Sequence, residues 1–384
     1  MSCKCKGNCK TPSIFDITGV CKTAIIFGIT GQDGSHLTDL LLQNNYRVIG
    51  VVRRSSTDTT GRIKHALDNP KLKIVDGDVT DYSSILKIFN NYVPKTGPVC
   101  EVYNLAAQSH VAVSFQQPGL TWDVTGKGCF NLLQAIVDLD IIRRVKFYQA
   151  SSSEMFGKNY DVKDGKKIQS ETTRFLPQSP YAIAKCAAHE AVRLYREAYG
   201  IHASAGILFN HEGPRRGDNF VTRKITKWIG EFSKWSDQEF KTVGRFFDPA
   251  VDELDTLYYG IPTSRGPTAF PKLRLGNLEA FRDWGFAGNY VEAMWMMLQQ
   301  EIPDDYVICT GETHTIREFL DVAFNIIGIK DWSNYVVQDK EFYRPAEVDY
   351  LLGDNTKAVT KLGWTPQTSF EELVKMMVEH DVKQ

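Results

Sequence analysis

From Lys22 onward, short apolar runs alternate with stretches whose apolar residues recur at helical spacing, the pattern of a parallel sheet wound with helices. The runs Thr23–Phe27, Arg47–Val52 and Leu72–Asp76 read as the first three strands, with helices predicted over 35–44 and 82–91. Further strands are predicted at 101–105, 146–150 and 203–208, and further helices over 123–139 and Pro180–Tyr199. Strands this continuously apolar are buried on both faces, as a doubly wound sheet requires. The Pro180–Tyr199 helix has the firmest limits, with proline at its start and Gly200 beyond its end. Ile183, Ala187, Ala191 and Leu194 are expected to share its apolar face.

After Asn210 the rhythm breaks. A helix is expected over 220–229, but 231–272 carries aromatics, four prolines and no steady period. A long irregular segment in a compact domain is an unusual feature. A helix over 290–300 and a strand over 306–309 follow, the strand returning to the first sheet. The remainder, through an apolar stretch at 373–378, is mixed.

Composition narrows the function. The 384 residues hold 45 Lys+Arg against 46 Asp+Glu, a net charge of −1 that argues against a nucleic-acid or membrane-surface binder. No apolar run approaches the ~18–20 residues of a membrane span, and the polar first ten residues lack a signal-peptide core. A cytoplasmic protein is expected. Of eight cysteines, Cys3, Cys5, Cys9 and Cys21 fall in the leader 1–21. Soft thiolates there could clip a metal, but the spacing matches no zinc-ribbon pattern. A mobile basic leader is the better reading, and no metal is expected.

Gly28-Ile-Thr-Gly31-Gln-Asp-Gly34 lies between the first strand and its helix, where glycines let backbone N–H groups and a helix N-terminus approach a pyrophosphate. About 20 residues on, where an NAD site would place an acid, stand Arg53 and Arg54, followed by Ser55 and Ser56. An arginine fork suits a 2′-phosphate, so NADP is the expected cofactor. Asp78 and Val79 end the third strand, where a carboxylate suits the adenine amino group. Leu105, Ala106, Ala107 and Ser109 end the fourth with small side chains.

Tyr181 and Lys185 stand four apart on one helix face, and a nearby ammonium is expected to lower the phenol's pKa. Such a tyrosine can take a proton from a sugar hydroxyl while hydride leaves the same carbon. Strand five ends in Ser151-Ser152-Ser153-Glu154, and strand ends face the ligand crevice in this fold. One serine can hold the reacting hydroxyl. Glu154 supplies a second acid/base that an epimerase has no use for.

With these residues in place, the chain resembles the extended short-chain dehydrogenase/reductase family, in its GDP-mannose 4,6-dehydratase branch. The resemblance runs through Gly28 to Gly34, Arg53 to Ser56, Asn104 to Ser109, Ser151 to Glu154 and Ser179 to Lys185. It continues in Ile207-Leu-Phe-Asn-His-Glu212, Pro214-Arg-Arg-Gly217, Phe220 to Ile225 and Leu275-Gly-Asn277. Arg282-Asp-Trp-Gly285, Tyr343-Arg-Pro-Ala-Glu347, Leu352-Gly-Asp354 and Lys361-Leu-Gly-Trp364 complete it, so nearly everything from Lys22 is covered.

The resemblance implies an α/β, Rossmann-type doubly wound parallel sheet, with a smaller mixed α/β substrate-binding domain. The cofactor domain would span 22–208 with 280–310 returning to it. The sugar-nucleotide domain would comprise 209–279 and 311–384, with an insertion at about 231–272. Ser152, Glu154, Tyr181 and Lys185 would be catalytic. Thr30, Gln32, Asp33, His211 and Arg216 would join the glycines, arginines and strand ends around a tightly bound NADP recycled in each turnover. Ser114, Asn210, Val221, Lys224, Gly276, Arg282, Arg344 and Glu347 would hold the substrate, GDP-mannose or a related GDP-sugar. Within that set Arg282 and Arg344 suit the diphosphate, and Lys224 and Glu347 the guanosine end. A homotetramer is implied, with the loop 53–56 reaching a neighbour's cofactor.

Three features depart from the pattern: the cysteine leader, the long 231–272 stretch, and Phe286 and Asn289 in place of histidine and aspartate. The insertion could reshape the pocket for a GDP-heptose, form an oligomer contact or be a surface elaboration. A nucleotide-sugar epimerase or reductase is the alternative enzyme, and a non-catalytic NADP-sensing scaffold the alternative class.

Overall fold

Apolar residues alternate to opposite sides of each central strand, and the chain satisfies both sides by covering the sheet with helices on each face. The computed structural model describes residues 21–243, 270–343 and 346–384. Seven parallel strands form the main sheet: β1 (Thr23–Phe27), β2 (Arg47–Val52), β3 (Leu72–Asp76), β4 (Cys100–Asn104), β5 (Val145–Ala150), β6 (His202–Leu208) and β7 (Tyr306–Ile308). Their order is β3-β2-β1-β4-β5-β6-β7. The order reverses between β1 and β4, which opens a crevice at the strands' carboxyl ends.

Ala24 and Ile26 of β1 pack on one face with α1 (Gln32–Gln43) and, from far along the chain, Met294 and Met297. Ile25 and Phe27 pack on the other with α2 (Tyr82–Tyr92), α3 (Gly128–Asp138) and α4 (Pro180–Tyr199). A further core joins α5 (Val221–Val243), α7 (Ile316–Ile326) and α8 (Phe370–Lys383) to the strand Leu273–Leu275. Between α5 and α7, helix α6 (Ala287–Gln299) carries Met294 and Met297 back onto the main sheet. Among the described residues, no helix is long and apolar enough to cross a membrane.

The structure alters several expected elements. The expected helix over 123–139 is two pieces, a wide turn Trp122–Lys127 and α3, preceded by a short helical turn Pro118–Thr121. Wide turns of this kind concentrate at functional sites, and here Thr125 Oγ1 accepts from the backbone N–H of Gln108 at 3.1 Å, bracing the loop after β4. Helix α5 continues to Val243, well into the stretch expected to be irregular, while 244–269 and the leader cysteines Cys3, Cys5 and Cys9 lie outside the described residues. On α4 the expected face is only half right: Ala191 is buried in the core, but the two large residues are not. Ile183 is 52% exposed and Leu194 49%, whereas Tyr181, Ala184, Lys185, Ala188, Val192 and Tyr195 turn inward. The inward face is the one whose polar groups find partners on the sheet, and those partners come from distant segments.

The α5–α8 contact is tied by an ion pair between Arg223 and Asp381, both buried. Removing one partner strands the other charge, so Asp381→Ala should destabilise the protein by about 3–5 kcal/mol, measured by reversible denaturant unfolding. A loss below about 1 kcal/mol would show that the pair does not hold the helices together.

Candidate active site

The carboxyl ends of β1, β2, β3, β4, β5 and β6 open into one cavity of about 1460 Å³. The tight turn from β1 into α1 forms its floor. Gly28 has φ +89°, and a Cβ there would lie 2.9 Å from the backbone N of Ala106, so glycine alone lets this turn pass the β4 loop. The N–H of Gly31 donates to Gly28 O at 3.1 Å, and α1 begins at Gln32 with its N-terminus in the cavity wall. At Gly34 a Cβ would meet Gly28 O at 2.3 Å, which binds the helix start tightly to the turn.

Thr30, Gln32 and Asp33 line this end, and they join it to a second segment of the wall. The Asp33 carboxylate lies 2.9 Å from His211 Nε2, while His211 Nδ1 meets Phe209 O at 2.7 Å. Gln32 Nε2 donates to His211 O at 3.0 Å and to Asp33 Oδ1 at 3.1 Å. The imidazole stacks on Tyr290 with centroids 4.9 Å apart. Burial alone would raise Asp33 and lower His211, but each group's charge and hydrogen bond outweigh that on the other: Asp33 is held well below 3.8 and His211 above 6.5. Arg216 pairs with Glu212 at 3.0 Å and lies over the Phe220 ring, 3.6 Å from its centroid.

The expected strand-end residues Asp78, Val79, Leu105, Ala106, Ala107 and Ser109 all line the cavity. Arg53 and Ser55 line it too, but Arg54 and Ser56 do not. Arg53 and Arg54 are exposed and make no hydrogen bond or ion pair with another described residue, which leaves Arg53 available to an anion at the cavity mouth. Residues not singled out by sequence complete this end. Arg62, on the turn Gly61–Ala66, donates to Arg215 O at 2.8 Å and to Thr30 O at 3.3 Å. Gln108 is held by Thr121 and Thr125. The partners of Arg62 lie far away in the chain and no motif announces it, whereas Gln108 falls inside the Asn104–Ser109 run and is held by nearby residues.

Ser152, Glu154, Tyr181 and Lys185 come together in the middle of the cavity. Ser152 caps the short turn Ser153–Met155, its hydroxyl accepting from Glu154 N at 3.3 Å. The turn carries Glu154 into the wall, where it is only 9% exposed. Tyr181 and Lys185 begin α4, whose N-cap Ser179 accepts from Ala182 N at 3.1 Å. Lys185 Nζ donates to Ala150 O at 2.6 Å and lies 5.7 Å from the Tyr181 ring centroid.

The expected lowering of the tyrosine by lysine is not found. Burial pushes the Tyr181 phenol up to about 12, only partly offset by a hydrogen bond with Ser152 and by Arg216, while Glu154 raises it further. Burial pushes Lys185 down to about 8. The ammonium is spent on a backbone carbonyl, and the phenol's desolvation outweighs it.

Asn210, Val221, Lys224, Gly276, Arg282 and Glu347 line the far end. Asn210 Oδ1 is buried with no hydrogen-bond partner among the described residues, an acceptor facing a polar ligand's natural place. The Lys224 ammonium lies 4.3 Å from the Phe342 ring centroid. Arg282 and Glu347, expected at different parts of a nucleotide, meet at 3.1 Å. Ser114 is a correction: it is fully buried outside the cavity lining, its hydroxyl donating to Val111 O at 2.6 Å to close its own helical turn. Arg344 lies outside the described residues.

The comparisons agree on one neighbourhood. A family model described as GDP-mannose 4,6 dehydratase matches residues 25–246 and 267–377. The chain is 48% identical over 361 residues to GDP-mannose 4,6 dehydratase 1 of Arabidopsis thaliana, covering 92% of this chain and 88% of that one. It is 44% identical over 375 residues to the Homo sapiens GDP-mannose 4,6 dehydratase, covering 92% and 89%. For the Vibrio cholerae GDP-mannose 4,6-dehydratase the identity is 40%, with 92% of each chain covered. Among solved structures, a UDP-glucose 4-epimerase from Thermotoga maritima superposes with a TM-score of 0.73 at 24% identity, covering 94% of this chain and 99% of that one. A dTDP-glucose 4,6-dehydratase from Bacillus anthracis gives 0.71 at 18%, covering 95% and 97%. Those two likenesses speak to the fold.

The Asp33–His211 pair has a definite pH signature. The raised imidazole contributes its stability fully below pH 6.5 and loses it as pH rises through the raised value; the lowered carboxylate contributes fully above 3.8 and loses it as pH falls through the lowered value. The pair is therefore strongest between those limits, with Arg216 opposing the imidazolium. Unfolding free energy should decline above pH 6.5 more steeply in the natural protein than in His211→Gln. Parallel pH curves for the two proteins would refute the pairing.

Proposed function

Because the chain belongs to the GDP-mannose 4,6-dehydratase family, we propose that this single cavity performs every step of the dehydration, using Ser152, Glu154, Tyr181 and Lys185. The protein is an enzyme that dehydrates GDP-mannose to GDP-4-keto-6-deoxymannose. The observation that carries the residue assignment is Glu154: a buried carboxylate two residues beyond a serine that hydrogen-bonds Tyr181, all in one cavity wall.

The Gly28–Gly34 turn would hold a nicotinamide dinucleotide, which would supply the hydride acceptor for C4 and the hydride donor for C6. The chain's own groups handle the protons. Ser152 holds the C4 hydroxyl, and Tyr181 takes its proton as the C4 ketone forms. The phenol pushed up to about 12 by burial needs a nearby positive charge to act at neutral pH, and a bound oxidised nicotinamide would supply one. Lys185 fixes the helix against Ala150 O and suits the ribose hydroxyls. The ketone acidifies the C5 proton, Glu154 removes it, and the same proton leaves with the C6 hydroxyl as water. Tyr181 then returns its proton to C5 while C6 receives the hydride. The balance is loss of one water with no net oxidant.

Arg53, exposed beside the cofactor end, supports NADP over NAD, because its free guanidinium suits a 2′-phosphate. His211 and Arg216 would complete that end. Arg282, Lys224, Asn210 and Glu347 would hold the GDP moiety. The division of labour we propose places the cofactor on 22–208 with 280–310, and the sugar nucleotide on 209–279 with 311–384. The exposed Ile183, Leu194 and Tyr199 of α4 support assembly into a homotetramer through this helix.

Glu154→Gln should abolish formation of the 4-keto-6-deoxy product, a fall of at least about 100-fold, while C4 oxidation still shows as reduced-nicotinamide absorbance. Product formation at the natural rate in this variant would remove Glu154 from the mechanism. Arg53→Ala should weaken NADP binding about tenfold and leave NAD binding unchanged, measured by calorimetry on apoenzyme. Equal losses for both dinucleotides would exclude Arg53 as the 2′-phosphate ligand.

A further inference from the structure

The assignment above leaves Ser151 unused, although it lines the same cavity as Ser152 and is almost wholly buried. Its hydroxyl lies 3.0 Å from Nδ1 of His189. His189 is itself buried, one turn beyond Lys185 on α4, so the two side chains leave the same face. Its other nitrogen, Nε2, lies 4.0 Å from Oδ2 of Asp305. Asp305 is held in turn by both terminal nitrogens of Arg196, at 2.9 and 2.7 Å, and by the backbone N–H of Ala205 at 3.0 Å. The Phe175 ring packs edge-on against the imidazole at 5.3 Å.

The charges around this chain of groups favour one polarity. An ionised carboxylate facing Nε2 favours the proton on that nitrogen, which leaves Nδ1 as an acceptor. Ser151 must then donate its hydroxyl hydrogen to His189, and its oxygen lone pairs are left for the cavity. The arrangement reverses a hydrolytic triad, where Nε2 meets the serine. It is a clamp: Tyr181, Lys185 and His189, each four residues apart, hold Ser152, Ala150 and Ser151 in turn.

We propose that His189 is a positioning residue, oriented by Asp305 and Arg196, which fixes Ser151 as a hydrogen-bond acceptor in the catalytic wall and locks the Ser152–Glu154 segment to the helix carrying Tyr181. Burial holds the imidazole below 6.5, against the pull of Asp305 and Glu190 and with the aid of Arg196 and Arg193. At neutral pH the acceptor is therefore present. In acid the protonated ring donates from both nitrogens, and Ser151 must turn its hydrogen into the cavity.

The catalytic consequence rests on Ser152, Glu154 and Tyr181 being the reacting groups; the tautomer does not. In the holoenzyme turning over GDP-mannose, Ser151→Ala and His189→Leu should each lower kcat about tenfold with KM nearly unchanged, and the double variant should fall no further. His189→Asn, whose carboxamide oxygen can replace Nδ1, should keep kcat at neutral pH but lose the acid limb that the natural enzyme shows. NMR of isotope-labelled histidine should find Nε2 protonated and Nδ1 bare in the resting protein. Multiplying losses in the double variant, an acid limb common to all variants, or a proton on Nδ1 would each overturn the proposal. Failure of the natural enzyme to dehydrate GDP-mannose would instead strike the functional reading and leave the tautomer result standing.

Discussion

Everything chemical in this protein depends on how helix α4 lies along the end of β5. An α-helix advances about 6 Å in four residues, while the last residues of β5 and its continuation must each be met by a side chain of fixed length. Tyr181, Lys185 and His189 meet that requirement at successive turns, reaching Ser152, Ala150 and Ser151. A rotation of α4 that buried the apolar Ile183 and Leu194 instead would carry all three side chains away from the strand. The helix leaves that apolar surface exposed and turns inward a tyrosine, a lysine and a histidine, each desolvated and each needing a partner.

The second constraint closes the cavity from the other side. Segment 211–216 is bound to the first turn of α1 and its neighbours by Asp33 with His211, by Gln32 with the His211 carbonyl, and by Asp39 with Arg215. These ties join the glycine turn that suits a dinucleotide to the part of the chain that supplies Asn210, Lys224 and Arg282. In this half-buried pair each partner favours the charged form of the other, helped by Gln32 on Asp33 and the Phe209 carbonyl on His211. The two ends of the cavity are thus held in register by electrostatics at its wall.

β1 and β2 were legible because they are largely buried on both faces and so read as apolar runs, and the edge strand β3 because turn residues bound it. All three and the helix Pro180–Tyr199 lie at their expected limits. Less local features were not. The wide turn Trp122–Lys127 answers to a hydrogen bond with Gln108, and the length of α5 answers to its packing on α8. That Ser152, Glu154, Tyr181 and Lys185 meet in one cavity was legible because Tyr181 and Lys185 share a helix face and Ser152 and Glu154 share a strand end. Ser114, Arg54 and Ser56 stand at matching positions yet do not line the cavity. Arg62, His189 and Asp305 were invisible, since their partners lie far away in the chain.

By itself the sequence determined which segments are strands and helices, that a glycine turn joins the first pair, and which side chains bear chemistry. These follow from periodicity and from local steric rules, and need no knowledge of neighbours. Only the tertiary structure decided that Lys185 serves a backbone carbonyl rather than the phenol, that burial raises Tyr181, and that Arg282 meets Glu347. Desolvation and charge pairing depend on groups brought together from separate segments of the chain, and spacing along the sequence carries no record of that meeting.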